Sequence, residues 1–181
     1  DHCVPHYMDR RHRQMCVRDR LLLTAAAATG LTACGFKLRQ APDFAFSTLY
    51  LTAAESSPLG NELRRNIEST GKVKVLRDAK DINNAEVILD VLQELRERVV
   101  VATNSSGQVR ELQLRLRVRF RLRTPTGGEP IPNTEIVQQR DISYNESQAL
   151  AKEAEEALLY RNMQSDIVQQ ILRRLAAVKQ I

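Results

Sequence analysis

Apolar and polar residues alternate most regularly between residues 112 and 124, which read LQLRLRVRFRLRT. Successive side chains of a β-strand point to opposite sides, so every second residue shares a face. The segment therefore predicts a strand with one buried apolar face and one exposed basic face. That basic face carries Arg115, Arg117, Arg119, Arg121 and Arg123.

The residues before this strand predict the first part of a small sheet. Residues 47–51 favour a short strand, a helix begins at Pro58 and is closed by Gly71, and residues 72–77 alternate as a second strand. A β-α-β order predicts a parallel pair with the helix on one face. Residues 86–102 suit either a helix or a strand. We favour a strand, because the turn NSSG at 104–107 and the arginine strand follow directly.

The residues after the arginine strand complete the predicted fold. Residues 134–144 favour another strand, and Asn145 is a suitable N-cap for a helix that runs to about residue 178. The predicted buried face of this helix comprises Leu150, Ala154, Ala157, Leu158, Val168, Ile171, Leu172 and Leu175. The fold class is therefore predicted as α+β, with two helices packed on a small mixed sheet.

The hairpin closed by residues 104–107 has a predicted register, in which paired residue numbers sum to about 211. This register sets Arg117 against Glu94 and Arg121 against Asp90 on the exposed face. On the buried face it pairs Leu116 with Leu95, Phe120 with Val91 and Leu122 with Leu89. A shift by one residue would oppose Phe120 to Asp90, so the apolar pattern favours this register.

The beginning of the chain is typical of a bacterial lipoprotein signal. Basic residues end at Arg20, an apolar run covers residues 21–31, and LTAC ends at Cys34. The apolar run is too short to span a bilayer. We predict a signal peptide with an upstream extension over residues 1–33, acylation of Cys34, a lipidated tether over 34–46 and a single α+β domain over 47–181. The alternative is a buried alanine-rich helix with an incidental cysteine.

The composition of the predicted mature chain argues against catalysis. Its 148 residues include no histidine and a single cysteine. A disulfide within the chain, a metal cluster of histidine and cysteine, and the usual Ser-His or Cys-His nucleophile are excluded. We therefore predict no enzyme activity, no metal and no cofactor.

The positive charge of the predicted mature chain is concentrated in one segment. Residues 110–123 hold six arginines and one glutamate, whereas the rest of the mature chain has a net charge of −2. Acidic residues of neighbouring strands can neutralise this charge through exposed pairs worth about 0.2–1 kcal/mol each. Otherwise an anionic lipid or a protein partner is implied. Nucleic acid is not predicted, because the strand lacks interleaved exposed aromatic residues.

Two motifs give the chain a family resemblance. With CGFKLR at residues 34–39 and QALAK at 148–152, it resembles the lipopolysaccharide-assembly lipoprotein family, LptE. The resemblance implies an anchor in the inner leaflet of the outer membrane, facing the periplasm. It further implies a position in the lumen of an LptD-like outer-membrane β-barrel, where such proteins plug the barrel, help it assemble and help lipopolysaccharide reach the cell surface. The chain departs from the family at Gln40, where glycine is common, and lacks a basic residue at the hairpin tip.

The resemblance and the predicted topology together suggest two candidate sites. Lys152 is expected near Arg98 and Arg110, and these three cations form a candidate lipid-binding cluster. The alternative is an ordinary solvated lysine paired with Glu156. The candidate interface with the barrel comprises Arg115, Arg117, Arg119 and Arg121. The alternative function is a periplasm-facing lipoprotein that serves as a structural subunit of another envelope complex.

Overall fold

The computed structural model describes residues 42–145 and 149–181. The predicted signal peptide, Cys34 and the first part of the predicted tether lie outside these residues. The described elements, in chain order, are β1 (Thr48–Thr52), α1 (Pro58–Glu68), β2 (Lys74–Leu76), a 3-10 helix (Ala79–Asn84), β3 (Val87–Thr103), β4 (Val109–Arg123), β5 (Ile131–Ser143) and α2 (Ala149–Ala177). The predicted α+β class is confirmed, and so is the choice of strand over helix for β3.

The five strands form one mixed sheet in the order β2-β1-β3-β4-β5. β1 runs parallel to β2 and β3, and α1 is the connection that a parallel pair requires. β3, β4 and β5 are antiparallel neighbours. The predicted β-α-β unit and the predicted hairpin are therefore both present.

Both α1 and α2 pack on the same face of the sheet. Ser57 caps α1 by accepting a hydrogen bond at 3.1 Å from the backbone N–H of Gly60, and Pro58 occupies the first turn. The core contains Leu59, Leu63 and Ile67 of α1, Met163, Ile167 and Ile171 of α2, and Leu112, Leu114, Leu116, Val118, Phe120 and Leu122 of β4. Because side chains alternate along β4, Arg115, Arg117, Arg119, Arg121 and Arg123 lie on the opposite face, which neither α1 nor α2 covers. We call this surface the open face.

The register between β3 and β4 differs from the prediction beyond residue 91. Asp90 lies opposite Arg121, as predicted, but Leu92 is an extra residue, and Leu95 then lies opposite Arg117. The predicted pairs Arg117–Glu94 and Leu116–Leu95 are therefore wrong. A β-bulge at Leu92 accounts for the change, since it adds one residue to one strand of the pair.

The bulge changes which charged residues of β3 lie on each face of the sheet. Without the bulge, Arg96 would lie directly opposite Arg115, and like charges at opposed positions are destabilising. Glu97 would lie opposite Leu114 on the apolar face, where an unpaired carboxylate is costly to bury. With the bulge, Glu94, Arg96 and Arg98 turn to the helix side of the sheet, and Leu95 turns to the open face.

The first half of α2 does not bury the face that the sequence predicts. Leu150 is 84% exposed and Leu158 is 54% exposed, while Lys152 and Glu156 are partly buried. The physical reason is that the helix side of β3 presents Arg96 and Arg98 here, and these basic groups attract polar side chains. The second half of α2 follows the prediction and buries Val168, Ile171, Leu172 and Leu175.

Candidate functional site

The open face carries the arginine row, by which we mean Arg115, Arg117, Arg119, Arg121 and Arg123. Glu135 of β5 joins two members of the row, at 2.9 Å from Arg117 and 3.0 Å from Arg119. Arg117 also lies 3.6 Å from Glu97 of β3. The hydrogen bond from Arg119 and the charge of Arg117 hold the pKa of Glu135 below its usual value. The centre of the row is thus neutralised by acidic residues of its own sheet.

Asp90 neutralises the end of the row that lies farthest from the hairpin tip. The Nε groups of Arg121 and Arg123 both donate to its Oδ2 at 2.8 Å, and Asp90 is only 5% exposed. Burial raises the pKa of Asp90, but hydrogen bonds from Arg123, Arg121 and Thr52 outweigh burial, so the pKa lies below its usual value. The predicted pair of Arg121 and Asp90 is confirmed.

Arg115 is the member of the row without an ion pair to any residue in the described ranges. Its Nε donates to Gln113 at 2.7 Å, and Gln113 donates to Asp141 at 2.8 Å. Glu97 lies opposite Arg115 in the register, but its carboxylate contacts Arg117 instead. Arg115 therefore keeps more capacity to bind an external acceptor than its neighbours do.

Exposed apolar side chains lie beside Arg117 on the open face. Leu95 of β3 and Val137 of β5 are both directly opposite Arg117, and they are 38% and 43% exposed. The Nε of Arg117 is buried there and has no hydrogen-bond partner within the described chain. The open face thus combines fixed guanidinium groups with uncovered apolar surface.

The candidate lipid-binding residues lie in the half of the sheet nearer the hairpin tip and at the start of α2. Lys152 contacts Ser143 at 3.3 Å and pairs with Glu155 at 2.8 Å, rather than with Glu156. Arg98 pairs with Glu156 at 3.4 Å. The backbone carbonyl of Arg110 accepts from Tyr144 at 2.8 Å, and its side chain forms no ion pair with a described residue.

These three cations form a strip rather than a compact cluster. Arg98 lies opposite Leu114, which is four residues from Arg110 along β4, or about 13 Å of strand. Lys152 contacts Ser143, which lies opposite Glu111 beside Arg110. Arg110 and Lys152 are therefore placed at the same end of the sheet, while Arg98 lies deeper under α2. We call these three residues the tip strip.

A cleft that the sequence does not reveal lies between α1, α2 and β3. It measures about 810 Å³, and its lining includes Arg65, Arg96 and Arg161 together with Glu62. We call it the interhelix cleft. Its three arginines are far apart in the sequence, and Arg96 reaches the cleft only because of the bulge. Helical periodicity alone would have brought Arg161 to this side of α2, but no local pattern links it to Arg96.

Tertiary contacts hold the walls of the interhelix cleft. The Arg96 guanidinium lies 5.4 Å from the ring centre of Tyr160, whose hydroxyl donates to the backbone carbonyl of Glu97 at 2.7 Å. Burial and the charge of Glu156 raise the pKa of Tyr160, so its hydroxyl stays protonated as a donor. Glu62 accepts from Gln164 at 2.8 Å and from Ser165 at 2.7 Å, which ties α1 to α2.

Two further properties bear on the kind of site present. Residues 42–145 and 149–181 contain no group of three or more histidine, cysteine, aspartate or glutamate side chains placed to hold a metal ion. Among the helices in these ranges, none combines the length and apolar character needed to cross a membrane. The described surfaces are instead suited to binding through arginine donors and apolar contact.

Comparisons with known proteins agree in sequence and in fold. The family described as LptE: Lipopolysaccharide-assembly matches residues 46–175, which include all five strands, α1 and most of α2. The LPS-assembly lipoprotein LptE of Pectobacterium atrosepticum is 31% identical over 170 residues, covering 90% of this chain and 88% of that protein.

Two solved structures have similar folds. The solution NMR structure of an uncharacterized lipoprotein B from Nitrosomonas europaea shares 37% identity, covers 79% of this chain and 91% of its own, and superposes with a TM-score of 0.66. The crystal structure of the rare lipoprotein B from Shewanella oneidensis shares 25% identity and superposes with a TM-score of 0.62. The match covers 72% of this chain and 95% of the Shewanella chain.

Proposed function

Since the chain belongs to the LptE family of lipopolysaccharide-assembly lipoproteins, we propose that it is the partner of an LptD-like outer-membrane β-barrel, which it plugs and helps to assemble. Its general role is lipopolysaccharide assembly in the cell envelope. The finer parts of the proposal are the barrel partnership, direct contact with lipopolysaccharide, an anchor in the inner leaflet and the absence of catalysis.

The open face is the observation that best supports the barrel partnership. β4 is about 50 Å long at the rise of an extended strand, so the row offers an extended rather than a compact surface. Arginine and exposed apolar side chains are both enriched at protein interfaces. Here Leu95 and Val137 supply apolar contact beside the guanidinium of Arg117. An elongated protein wall, such as the inside of a barrel, matches this geometry.

The ion pairs of the row change how it is expected to bind. A guanidinium has five N–H donors, and one carboxylate contact leaves several of them available. Glu135 and Asp90 fix the positions of these donors, so little side-chain freedom remains to be lost on binding. We expect the row to contribute oriented hydrogen bonds more than bulk charge, and barrel association to depend only weakly on salt.

The test of the barrel partnership is co-purification from detergent-solubilised membranes. Arg115→Ala/Arg119→Ala should lower barrel recovery severalfold, because charge-assisted hydrogen bonds at an interface are worth about 1.5–3 kcal/mol each. Lys80→Ala/Lys179→Ala removes the same charge from exposed positions in the 3-10 helix and after α2, and should leave recovery unchanged. Unchanged recovery of the barrel with the first variant would contradict the proposal. Stoichiometric recovery of a different envelope complex would favour the alternative function.

Contact with lipopolysaccharide is proposed for the tip strip. Lipopolysaccharide is anionic and amphiphilic, and β3 exposes the apolar side chain of Val100 two residues from Arg98. Arg110→Ala/Lys152→Ala should weaken lipopolysaccharide binding and leave barrel recovery intact. If Arg115→Ala/Arg119→Ala instead lost lipid binding while retaining the barrel, the assignment of the two surfaces would be reversed.

Membrane attachment is proposed to depend on Cys34 after removal of residues 1–33. A single acyl chain gives only marginal membrane binding, and a bacterial lipoprotein carries several. Cys34→Ala should therefore give a precursor that loses stable attachment to the outer membrane, as seen by fractionation. Mass spectrometry of the variant provides the second measurement, and an unchanged acylated mass would exclude Cys34 as the lipidated residue.

A further inference from the structure

Three arginines from three different elements converge in the interhelix cleft. Arg65 belongs to α1, Arg96 to β3 and Arg161 to α2. Arg65 and Arg161 are exposed, and within the described residues neither forms an ion pair. Among the described residues, Arg96 forms one long ion pair, at 3.5 Å to Glu94. The cleft therefore presents guanidinium groups whose charge the fold itself leaves largely uncompensated.

The acidic residues near the cleft are already engaged. Glu62 accepts hydrogen bonds at both carboxylate oxygens, from Gln164 and Ser165. Glu94 accepts from Ser57 at 3.2 Å besides its contact with Arg96. The lining as a whole carries three arginines and one glutamate, a net charge of +2. An occupant with negative charge is complementary to this lining.

The cleft is also preorganised. Stacking on Tyr160 and the 3.5 Å contact with Gln164 position the Arg96 guanidinium, and Gln164 itself is only 5% exposed. Binding of a ligand here would order the exposed side chains of Arg65 and Arg161, but Arg96 is already held in position, which reduces the entropic cost of association. The walls are two helices and a strand rather than loops, so the spacing of the arginines is fixed by the fold.

The mixture of polar groups distinguishes between kinds of anion. Arg65, Arg161 and the amide of Asn66 offer donors, but Glu62 places an acceptor in the same lining. A phosphate dianion would meet repulsion from Glu62, whereas a peptide can direct carboxylates to the arginines and a backbone N–H to Glu62. We propose that the interhelix cleft binds an acidic peptide segment of a protein partner. This surface is on the opposite side of the sheet from the arginine row, and the proposal does not depend on the barrel partnership.

The test measures peptide binding to the isolated full chain at low ionic strength. The probe is an end-blocked peptide of about eight residues rich in aspartate and glutamate, compared with its asparagine and glutamine counterpart and with inorganic phosphate. NMR of the arginine Nε–Hε groups reports which side chains respond. The acidic peptide should perturb Arg65, Arg96 and Arg161, and the neutral peptide should bind at least about tenfold more weakly, since charge-assisted bonds are lost.

Variants with equal loss of charge separate the cleft from general electrostatic attraction. Arg65→Gln/Arg161→Gln alters two exposed side chains, so the fold should persist, and it should weaken peptide binding by about tenfold. Lys80→Gln/Lys179→Gln removes the same charge from exposed positions outside the cleft lining and should change the affinity less than twofold. Equal losses in both variants would overturn the proposal. Absence of perturbation at the cleft, or cleft binding by phosphate without binding by the peptide, would also overturn it.

Discussion

The arginine row and the interhelix cleft are both arginine-rich, but the fold treats their charges differently. Four of the five arginines in the row form ion pairs, with Asp90, Glu97, Glu129 and Glu135 as partners. The three arginines of the cleft form a single ion pair with the described residues, the 3.5 Å contact between Arg96 and Glu94. The row is conspicuous in the sequence, whereas the cleft arginines are scattered. Density of charge along a sequence therefore does not indicate how much charge remains free.

The difference has a geometric cause. Residues two apart on a strand lie about 7 Å from each other, so a row of arginines on one strand repels unless acids intervene. β3 and β5 supply these acids on the same face, as Glu97 and Glu135 do for Arg117. In the cleft each arginine comes from a separate element, and the arginines are not held in line on one strand. Neutralisation is required in the first case and not in the second.

The largest difference in unfolding free energy is expected between substitutions on the two faces of β4. Phe120→Ala should cost about 3–5 kcal/mol of unfolding free energy, because the ring is fully buried in the core. The adjacent change Arg119→Ala should cost less than about 1 kcal/mol, since an exposed ion pair contributes little. Denaturant unfolding of both variants gives the comparison. Similar losses for the two would mean that the row itself supports the fold.

A smaller loss is expected when the acid beneath the row is removed. Asp90→Ala should cost about 2–3 kcal/mol, below the usual range for one partner lost from a buried pair, because Arg121 and Arg123 retain access to water. Asp141→Ala, which removes an exposed carboxylate of the same face, is the matched control and should stay within about 0.5 kcal/mol. Thermal or denaturant unfolding measures both. If Asp90→Ala left the unfolding free energy unchanged, the stability of the fold would not depend on the acid that pairs with this end of the row.

Low pH should also weaken the contacts of Asp90 with Arg121 and Arg123, and the loss of unfolding free energy should be smaller than in Asp90→Ala. The pKa of Asp90 is lower in the folded chain than in the unfolded chain, so its carboxylate stabilises the fold above the unfolded pKa of about 4. This contribution is lost as the pH falls through the folded pKa. Unfolding free energy should therefore decline below about pH 4, and the slope should be shallower in Asp90→Asn. Equal slopes in the variant and the parent chain would assign the acid sensitivity to other groups.

The smallest effect is expected in the cleft. Arg65→Gln/Arg161→Gln should change the unfolding free energy by less than about 0.5 kcal/mol, as is usual for exposed side chains without ion pairs. Arg121→Gln in the row should cost about 1 kcal/mol, because it removes a hydrogen bond to a charged group. Parallel unfolding curves provide the measurement. A large loss in the cleft variant would reveal a structural role for its arginines.

The sequence alone predicts an element correctly wherever its local pattern of apolar and polar residues agrees with the packing in the structure. Alternation over six apolar positions predicts β4, and the turn before it predicts the hairpin. Pro58 and the spacing of Leu59, Leu63 and Ile67 predict α1. These features depend on neighbours within a few residues, so the fold class and the open face can be inferred before any coordinates are known.

The remaining features depend on the bulge at Leu92, which has no turn signal of its own. The bulge shifts the pairing of residues 93–100 by one position, which moves Arg96 from a place opposite Arg115 to the helix side of the sheet. The exposure of Leu150 and Leu158 follows from the basic groups that the bulge turns toward α2. The interhelix cleft could not be predicted from the sequence, because it combines Arg65, Arg96 and Arg161 from three elements and the bulge is what places Arg96 there.

The bulge at Leu92 also lies far enough from the hairpin tip that a small change of strand direction there would move the tip by several ångströms. The hairpin extends about 12 residues beyond it to Asn104, which at the rise of an extended strand is roughly 40 Å. Bulges bend the strand that carries them and increase its twist. By simple trigonometry a rotation of roughly 10° at Leu92 would displace the tip by roughly 7 Å, taking the strand rise as the measure of the arm. The bulge at Leu92 thus contributes to the direction of the hairpin tip, together with the strand irregularities between Val100 and Thr103 that lie nearer the tip.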